Sequence, residues 1–294
     1  MILAAGYGTR LRPLTFELPK PLVWVGDKPA IYPIVEQLRR AGIDRLVVNT
    51  HHKGEAFSKD ILSLFSMDLT IVTEVEILGT GGGVANASAF LGDGLVVVWN
   101  GDILVDLNVE ALLPKCRGEV TLVAFPRPCG DGTLGVGADG KVVRLRGETF
   151  GVEVQGGDFL GVSVLGPEFR ATLPIPGCLI GEGVLPWLRR GRWVDVHFTT
   201  QTWEDIGSLE SYLNANKRWL EKYHPSGYVH PTAHVSQRVK VEGSIVGKGA
   251  RVDGEGGLVD CIVWPGAVAT APLSRSVITT EGRVVAIQEK TFQL

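Results

Sequence analysis

Three strand-like segments with apolar centres constrain this chain most: RLVVNT at 45–50, LTIVTE at 69–74 and LVVVW at 95–99. None alternates polar with apolar, so each reads as a strand buried on both faces, and the segments between them carry helical spacing. From Pro29 to Ala41, Ile31, Ile34, Val35 and Leu38 fall on one face, and Gly42 stands where a helix stops. Residues 55–67, with Phe57, Ile61, Leu62 and Phe65, predict a second amphipathic helix. The opening MIL reads as a short strand running into a glycine loop. Strands without polar alternation, separated by helices, predict an α/β fold: a Rossmann-like, mostly parallel sheet flanked by helices.

From about residue 119 to 165 the pattern shifts to short strands and tight turns, with a hairpin expected at Asp139–Gly140 in VGADGKVVRL. Ser208 to Tyr223 returns to helix, with Ser208 as N-cap. Beyond YHPSGYVHP the period becomes six: Val229, Val235 and Val241, then Val246, Val252, Leu258 and Trp264 after a one-residue slip. A six-residue period is the mark of a hexapeptide β-helix, here of roughly three coils. The alternative is a small antiparallel sheet. The expected division is 1–222 for an α/β domain and 223–294 for a hexapeptide-repeat, β-helix-like domain.

Composition narrows the partners. With 29 Lys and Arg against 32 Asp and Glu the net charge is −3, which lacks the basic excess of a nucleic-acid binder. Cys116, Cys129, Cys178 and Cys261 fit no zinc spacing and read as thiols of a reducing, cytoplasmic compartment. No apolar run approaches the ~20 residues that span a bilayer, and the N-terminus lacks the pattern of a signal peptide. Neither a nucleic acid nor a membrane is an expected partner.

The chemistry concentrates in AAGYGTRLRPLTFELPKP, residues 4–21. Leu11 breaks the G-x-G-x-x-G dinucleotide fingerprint, and no Lys-Ser/Thr follows to make a Walker loop. What remains is a glycine loop after a strand, whose backbone N–H groups can face an anion. Arg10 offers a fork for phosphate oxygens and Lys20 a point charge. A tight turn with solvated basic residues is the bland alternative.

The spacing of Thr9-Arg10, Arg12-Pro13-Leu14-Thr15 and Pro19-Lys20-Pro21 resembles the signature of the sugar-1-phosphate nucleotidylyltransferases. Further stretches over residues 1–222 are similar to that family's markers in order: LGTGGGVANA (78–87) its base loop, VVWNGDILVD (97–106) its metal-binding strand end, FLGVSVLGPE (159–168) its sugar strand and WEDIGSLESYL (203–213) its second metal motif. The resemblance implies transfer of a nucleoside monophosphate from an NTP, leaning to GTP, onto a sugar-1-phosphate, leaning to mannose-1-phosphate. It implies Mg²⁺ on Asp102 and Asp205, catalytic roles for Arg10 and Lys20, and nucleotide contacts from Leu3, Ala5, Gly6, Gly8, Thr9, Thr80, Gly81 and Gly82. Sugar contacts would come from Glu148, Gly161 and Glu182, although Glu182 also suits a helix start. The family's Glu-Lys-Pro before the sugar strand is missing here, with Glu148-Thr149 as the nearest counterpart. The other readings are a uridylyltransferase and a non-catalytic sugar-nucleotide-binding subunit. The C-terminal repeats resemble the left-handed β-helix tail of many relatives and offer a surface for homo-oligomers.

Several features read as structural. Val142 rules out a Walker loop in GVGADGKV. His51-His52 is expected as an exposed pair at a strand end, His230 and His234 as turn residues, and Trp187, Trp193 and Trp203 as core.

Overall fold

The computed structural model describes residues 1–65 and 67–287. They form two compact units that do not follow the chain linearly. One holds Met1–Tyr7 with Tyr32–Trp203; the other holds Gly8–Ile31 with the chain from Glu204 onward.

The first unit is built on a ten-stranded mixed sheet. Its strands are β1 (Ile2–Leu3), β2 (Arg45–Thr50), β3 (Asp68–Thr73), β4 (Val96–Asn100), β5 (Val120–Arg127), β6 (Leu134–Val136), β7 (Val142–Leu145), β8 (Glu148–Thr149), β9 (Gln155–Leu165) and β10 (Asp195–Phe198). The order is β8-β7-β6-β9-β4-β1-β2-β3, with β5 paired to β9 and β10 to β5. The run β4-β1-β2-β3 is parallel, the part expected from the three apolar segments. The hairpin β6–β7 and strand β9 are antiparallel to their sheet neighbours, as the change in pattern after residue 119 suggests. The two-residue β1 is central: Ile2 pairs with Val48 on one side and Trp99 on the other, and its side chain is fully buried. Parallel neighbours bring the carboxyl ends of β1, β2, β3 and β4 to one edge. The strand order reverses between β1 and β4, and open α/β sheets bind ligands at such a reversal.

Helix α1 (Tyr32–Arg40) buries Ile34, Val35 and Leu38, and Gly42 follows at φ +78°, as the periodicity predicts. The helix expected over 55–67 is much shorter. Gly54–Ala56 forms a single 3₁₀ turn, then Ser58 caps a helix of Lys59–Leu62; Ser66 lies outside the described residues. Leaving the turn, Phe57 takes ψ 53°, off the helical region, and this splits the segment. Trp187 is core, whereas Trp193 is exposed beneath the Lys141 ammonium, 5.4 Å from the ring centre.

The first unit also holds helix α2 (Gly79–Asn86). In the second unit helix α3 (Leu209–Tyr223) begins with a capping box in which Ser208 and Ser211 satisfy each other's backbone N–H groups. The chain then winds through short strands: β11 (Tyr228–Val229), β12 (His234–Val235), β13 (Val239–Glu242), β14 (Ile245–Val246), β15 (Arg251–Val259), β16 (Ile262–Val263), β17 (Val268–Ser274), β18 (Ser276–Ile278) and β19 (Val284–Ala286). These strands pair in two parallel ladders, β11-β14-β16-β18 and β12/β13-β15-β17. Ile245 pairs with Tyr228 and with Ile262, each 17 positions away, one short of three full hexads. Val246, Val252, Leu258 and Trp264, the second six-residue row, are all fully buried. The pairing is parallel, not the antiparallel alternative, except where β19 folds back on β18. Residues 288–294 of the expected C-terminal domain lie outside the described part.

Candidate active site

The site edge of the first unit is assembled by hydrogen bonds at the strand ends. Gly101 donates to the Leu3 carbonyl at 2.9 Å, and the buried Trp99 indole donates to the Ile103 carbonyl at 2.9 Å. These two bonds fix the turn that carries Asp102, half-buried just past β4. Gly161 arrives at the same place. It sits at φ +69° in a bulge of β9, and a Cβ there would lie 2.5 Å from Asn100 Nδ2. Only glycine meets both the left-handed backbone and that approach.

After β1, Ala5 is buried and Gly6 is exposed. A Cβ on Gly6 would meet no heavy atom of the described residues within 4 Å. Neither packing nor backbone strain accounts for a glycine here. Beneath the loop runs a buried polar network. Ala4 N donates to Asn49 Oδ1 at 2.9 Å, Asn49 Nδ2 donates to Glu74 Oε1 at 2.7 Å, and Leu78 N donates to Glu74 Oε2 at 3.1 Å. Asn49 and Glu74 are 2% and 3% exposed. His51 Nδ1 donates to the Glu74 carbonyl at 2.9 Å, which leaves its Nε2 facing the Tyr7 hydroxyl at 3.4 Å.

The glycine stretch at 79–83, expected as a loop, is the first half of helix α2 (Gly79–Asn86). Its glycines answer to close packing. A Cβ on Gly79, at φ +77°, would lie 2.5 Å from the Gly177 carbonyl oxygen, and one on Gly83 would lie 2.6 Å from Asn49 Nδ2. Gly81 N and Gly82 N both donate to the Gly177 carbonyl, at 2.8 and 2.9 Å. Those two donors are therefore engaged within the protein. Thr80 Oγ1 accepts from Leu179 N at 2.8 Å and retains its own proton to donate.

Two of the expected sugar residues hold protein partners. Glu148, on edge strand β8, makes a two-pronged ion pair with Arg189, which holds its carboxyl below the usual range. Glu182 is exposed and accepts from Cys178 N at the head of its own helical turn, Leu179–Val184.

The second unit carries the basic groups. Gly8 is left-handed at φ +61°, and a Cβ would lie 2.7 Å from Thr15 Cγ2 and 3.6 Å from the Lys20 stem. Thr15 Oγ1 donates back to the Gly8 carbonyl at 2.9 Å. This crossing closes the loop, after which Thr9 and Arg10 stand exposed on a 3₁₀ turn, Thr9–Leu11. Arg10 Nη2 lies 3.8 Å from Asp205 Oδ2, with the two side chains 71% and 39% exposed. Such an exposed, loosely spaced pair adds little stability. Between them lies Gly207, where a Cβ would stand 3.0 Å from Arg10 Nη2 and 3.0 Å from Asp205 Oδ1. Lys20 opens the 3₁₀ turn Lys20–Leu22 between two prolines.

Gly8, Thr9, Arg10, Lys20 and Asp205 thus belong to the second unit, and the other predicted residues to the first. Sequence reasoning missed Asn49, Glu74 and Gly207, and took His51 for an exposed loop residue. Asn49 was the detectable one, a carboxamide inside an otherwise apolar strand. Among the described residues no three His, Cys, Asp or Glu side chains cluster as a metal cage. No helix among the described residues is long and apolar enough to cross a membrane.

Residues 1–126 match the nucleotidyl transferase family model. The chain is 28% identical to a probable mannose-1-phosphate guanylyltransferase 1 of Oryza sativa subsp. japonica, over 97% of this chain and 82% of that protein. It is 27% identical to a mannose-1-phosphate guanylyltransferase of Mycobacterium tuberculosis, over 86% and 76%. These relatives and the domain match support the sugar-1-phosphate nucleotidyltransferase family. The fold is shared with HddC from Yersinia pseudotuberculosis (TM-score 0.61, 24% identity, 74% of this chain and 97% of that one). It is also shared with an apo UDP-glucose pyrophosphorylase (TM-score 0.62, 20% identity, 75% and 98%).

Proposed function

We propose that this protein transfers a nucleoside monophosphate from an NTP, GTP in the first instance, to a sugar-1-phosphate, mannose-1-phosphate or a related aldose phosphate. The observation that carries this reading is the open glycine loop beside β1, at the strand-order reversal, followed by the exposed Arg10. The names of the relatives point to guanylyl transfer onto mannose-1-phosphate.

A phosphate oxygen of the sugar-1-phosphate attacks the α-phosphorus. The bond from that phosphorus to the β-bridging oxygen breaks, and pyrophosphate leaves with the electron pair. The nucleophile is already an anion near neutral pH, so the protein needs no general base. Its work is alignment and charge stabilisation. Gly6 and Gly8 keep the loop bare for close approach of the triphosphate, and Leu3, Ala5 and Thr9 line it. Arg10 forks onto the phosphates and stabilises the leaving pyrophosphate; Lys20 neutralises charge at the reacting centre. With Gly81 N and Gly82 N engaged by Gly177, base recognition at helix α2 falls to Thr80 and to backbone carbonyls. Gly161 gives the sugar room beside Asn100, with Glu148 and Glu182 as polar neighbours. Asp102 and Asp205 are the proposed ligands of Mg²⁺, which when bound supplies positive charge against the phosphates. The C-terminal coils are proposed as a short left-handed β-helix that offers a surface for self-association, and the protein as cytoplasmic.

The test is pyrophosphate release from each of four NTPs against a panel of sugar-1-phosphates, with Arg10→Ala alongside. Release with GTP and mannose-1-phosphate, lost in a variant that unfolds like the wild type, is the expected result. A UTP preference would move the assignment to a uridylyltransferase. No release with any pair would leave a sugar-nucleotide-binding subunit.

A further inference from the structure

The opening motif contains an acidic residue that phosphate binding leaves unexplained. Glu17 lies three positions before Lys20, among groups proposed to meet polyanions, yet its side chain is only 4% exposed. Its partners all come from one hairpin loop of the C-terminal coils, Thr279 to Arg283 between β18 and β19. Thr279 Oγ1 and Arg283 Nη1 donate to Oε1, and Glu281 N donates to Oε2 at 3.1 Å. That loop is itself closed: Gly282 N donates to the Thr279 carbonyl at 2.9 Å, and Arg283 N to Thr279 Oγ1 at 3.1 Å. A carboxylate taken out of water needs its lone pairs satisfied, and here a hydroxyl, an amide and a guanidinium converge to do so.

The same segment is held a second time further along. The Trp24 carbonyl accepts from the Tyr212 hydroxyl, which accepts in turn from the buried Trp264 indole of the coils at 2.9 Å. Gly26 N donates to Asn216 Oδ1 at 2.9 Å. Gly26 lies so close under Trp219 that a Cβ would fall 2.1 Å from the ring. Lys20 sits between these two anchors, and Arg10 precedes the first.

We propose that Glu17 is a positioning residue through which the C-terminal coils brace the Gly8–Ile31 segment and hold Arg10 and Lys20 in their working geometry. The consequence for turnover rests on the nucleotidyl-transfer reading; the bracing itself does not. In Glu17→Gln an amide NH₂ must face one of the three donors, and Arg283 keeps only the Glu281 carboxylate, 2.6 Å away, as its charged partner.

Amide hydrogen exchange over residues 9–25 should then quicken by about 10-fold while the fold is retained. The kcat for pyrophosphate release should fall by about 10-fold, with KM for sugar-1-phosphate changed less than about twofold, since transition-state alignment and not ground-state binding is lost. Thr279→Val and Arg283→Ala, both outside the segment, should reproduce the effect, and Arg283→Lys should recover part of it. If Glu17→Gln does not fold, Thr279→Val carries the same test from the coil side. Exchange over 9–25 at the wild-type rate would overturn the bracing. Quickened exchange with wild-type kcat, or a lowered Tm alone, would overturn the positioning role. Absence of pyrophosphate release from the wild type would instead fail the nucleotidyl-transfer reading, and the exchange measurement would still decide the bracing.

Discussion

Asn49 and Glu74 form the joint between the glycine loop and helix α2, and their removal has a calculable cost. Asn49→Leu keeps the approximate shape but removes two bonds, from Ala4 N at 2.9 Å and to Glu74 Oε1 at 2.7 Å. The orphaned buried Ala4 N–H costs about 1–3 kcal/mol, and a lost bond to a charged group about 1.5–3 kcal/mol. Together these give about 2.5–6 kcal/mol, a large part of the ~5–15 kcal/mol that holds most domains folded. Glu74→Met removes the acceptor for Asn49 Nδ2 and for Leu78 N at 3.1 Å, with a similar loss. The double variant leaves the two backbone donors orphaned but no longer strands the carboxylate or the carboxamide. It should therefore be less destabilised than the sum of the singles, by about 2 kcal/mol. Urea unfolding of the four proteins, with midpoints and slopes compared, gives the cycle. Additivity within about 0.5 kcal/mol would refute the coupling, as would an Asn49→Leu variant as stable as the wild type.

Gly207→Ala places a methyl 3.0 Å from Arg10 Nη2 and from Asp205 Oδ1. Both side chains are exposed enough to yield, so unfolding should shift by less than about 1 kcal/mol, while steady-state pyrophosphate release drops at least about 10-fold as the pair is displaced. Gly79→Ala combines φ +77° with a Cβ 2.5 Å from a backbone carbonyl oxygen, and should lower stability by about 2–4 kcal/mol in the same urea assay. Burial, and then the nearby Lys115 charge, lowers the pKa of His197. The unfolded chain therefore binds this proton first, and the stability contributed above an unfolded value of about 6.5 is lost as pH falls through the folded value. His197→Gln should make the decline in urea midpoint between pH 7 and pH 5 shallower; an unchanged slope would count against it.

The parallel strands could be read from the sequence because apolar strand centres have few other homes, although β3, last in the sheet order, is half-buried along its middle and not buried on both faces as expected. Helices α1 and α3 could be read because their periodicity coincided with stop and cap residues at Gly42 and Ser208. The segment at 55–67 misled because its apolar spacing is helical while the Phe57 backbone is not. The glycines at 79–83 read as a loop by composition. Their helix is tied at its start to the Gly177 carbonyl, which takes two of its N–H groups, and the Asn49–Glu74 pair leaves room only for glycine at Gly83. Local residues decided the turn of the opening loop, where Gly8 is left-handed at φ +61° and Arg10 stands exposed. Gly207 and Glu17 were not legible, because what each touches is distant in sequence: Arg10 for the first, Thr279 to Arg283 for the second.

The central claim is attack at the α-phosphorus of a nucleoside triphosphate. It is tested most directly by incubating the protein with GTP labelled at either the α- or the γ-phosphate, together with mannose-1-phosphate and Mg²⁺, and following where each label goes. The account predicts α-label in a phosphatase-resistant sugar nucleotide and γ-label in pyrophosphate. Transfer of the γ-label to the sugar phosphate, or no transfer of either label with any of the four NTPs, would contradict it.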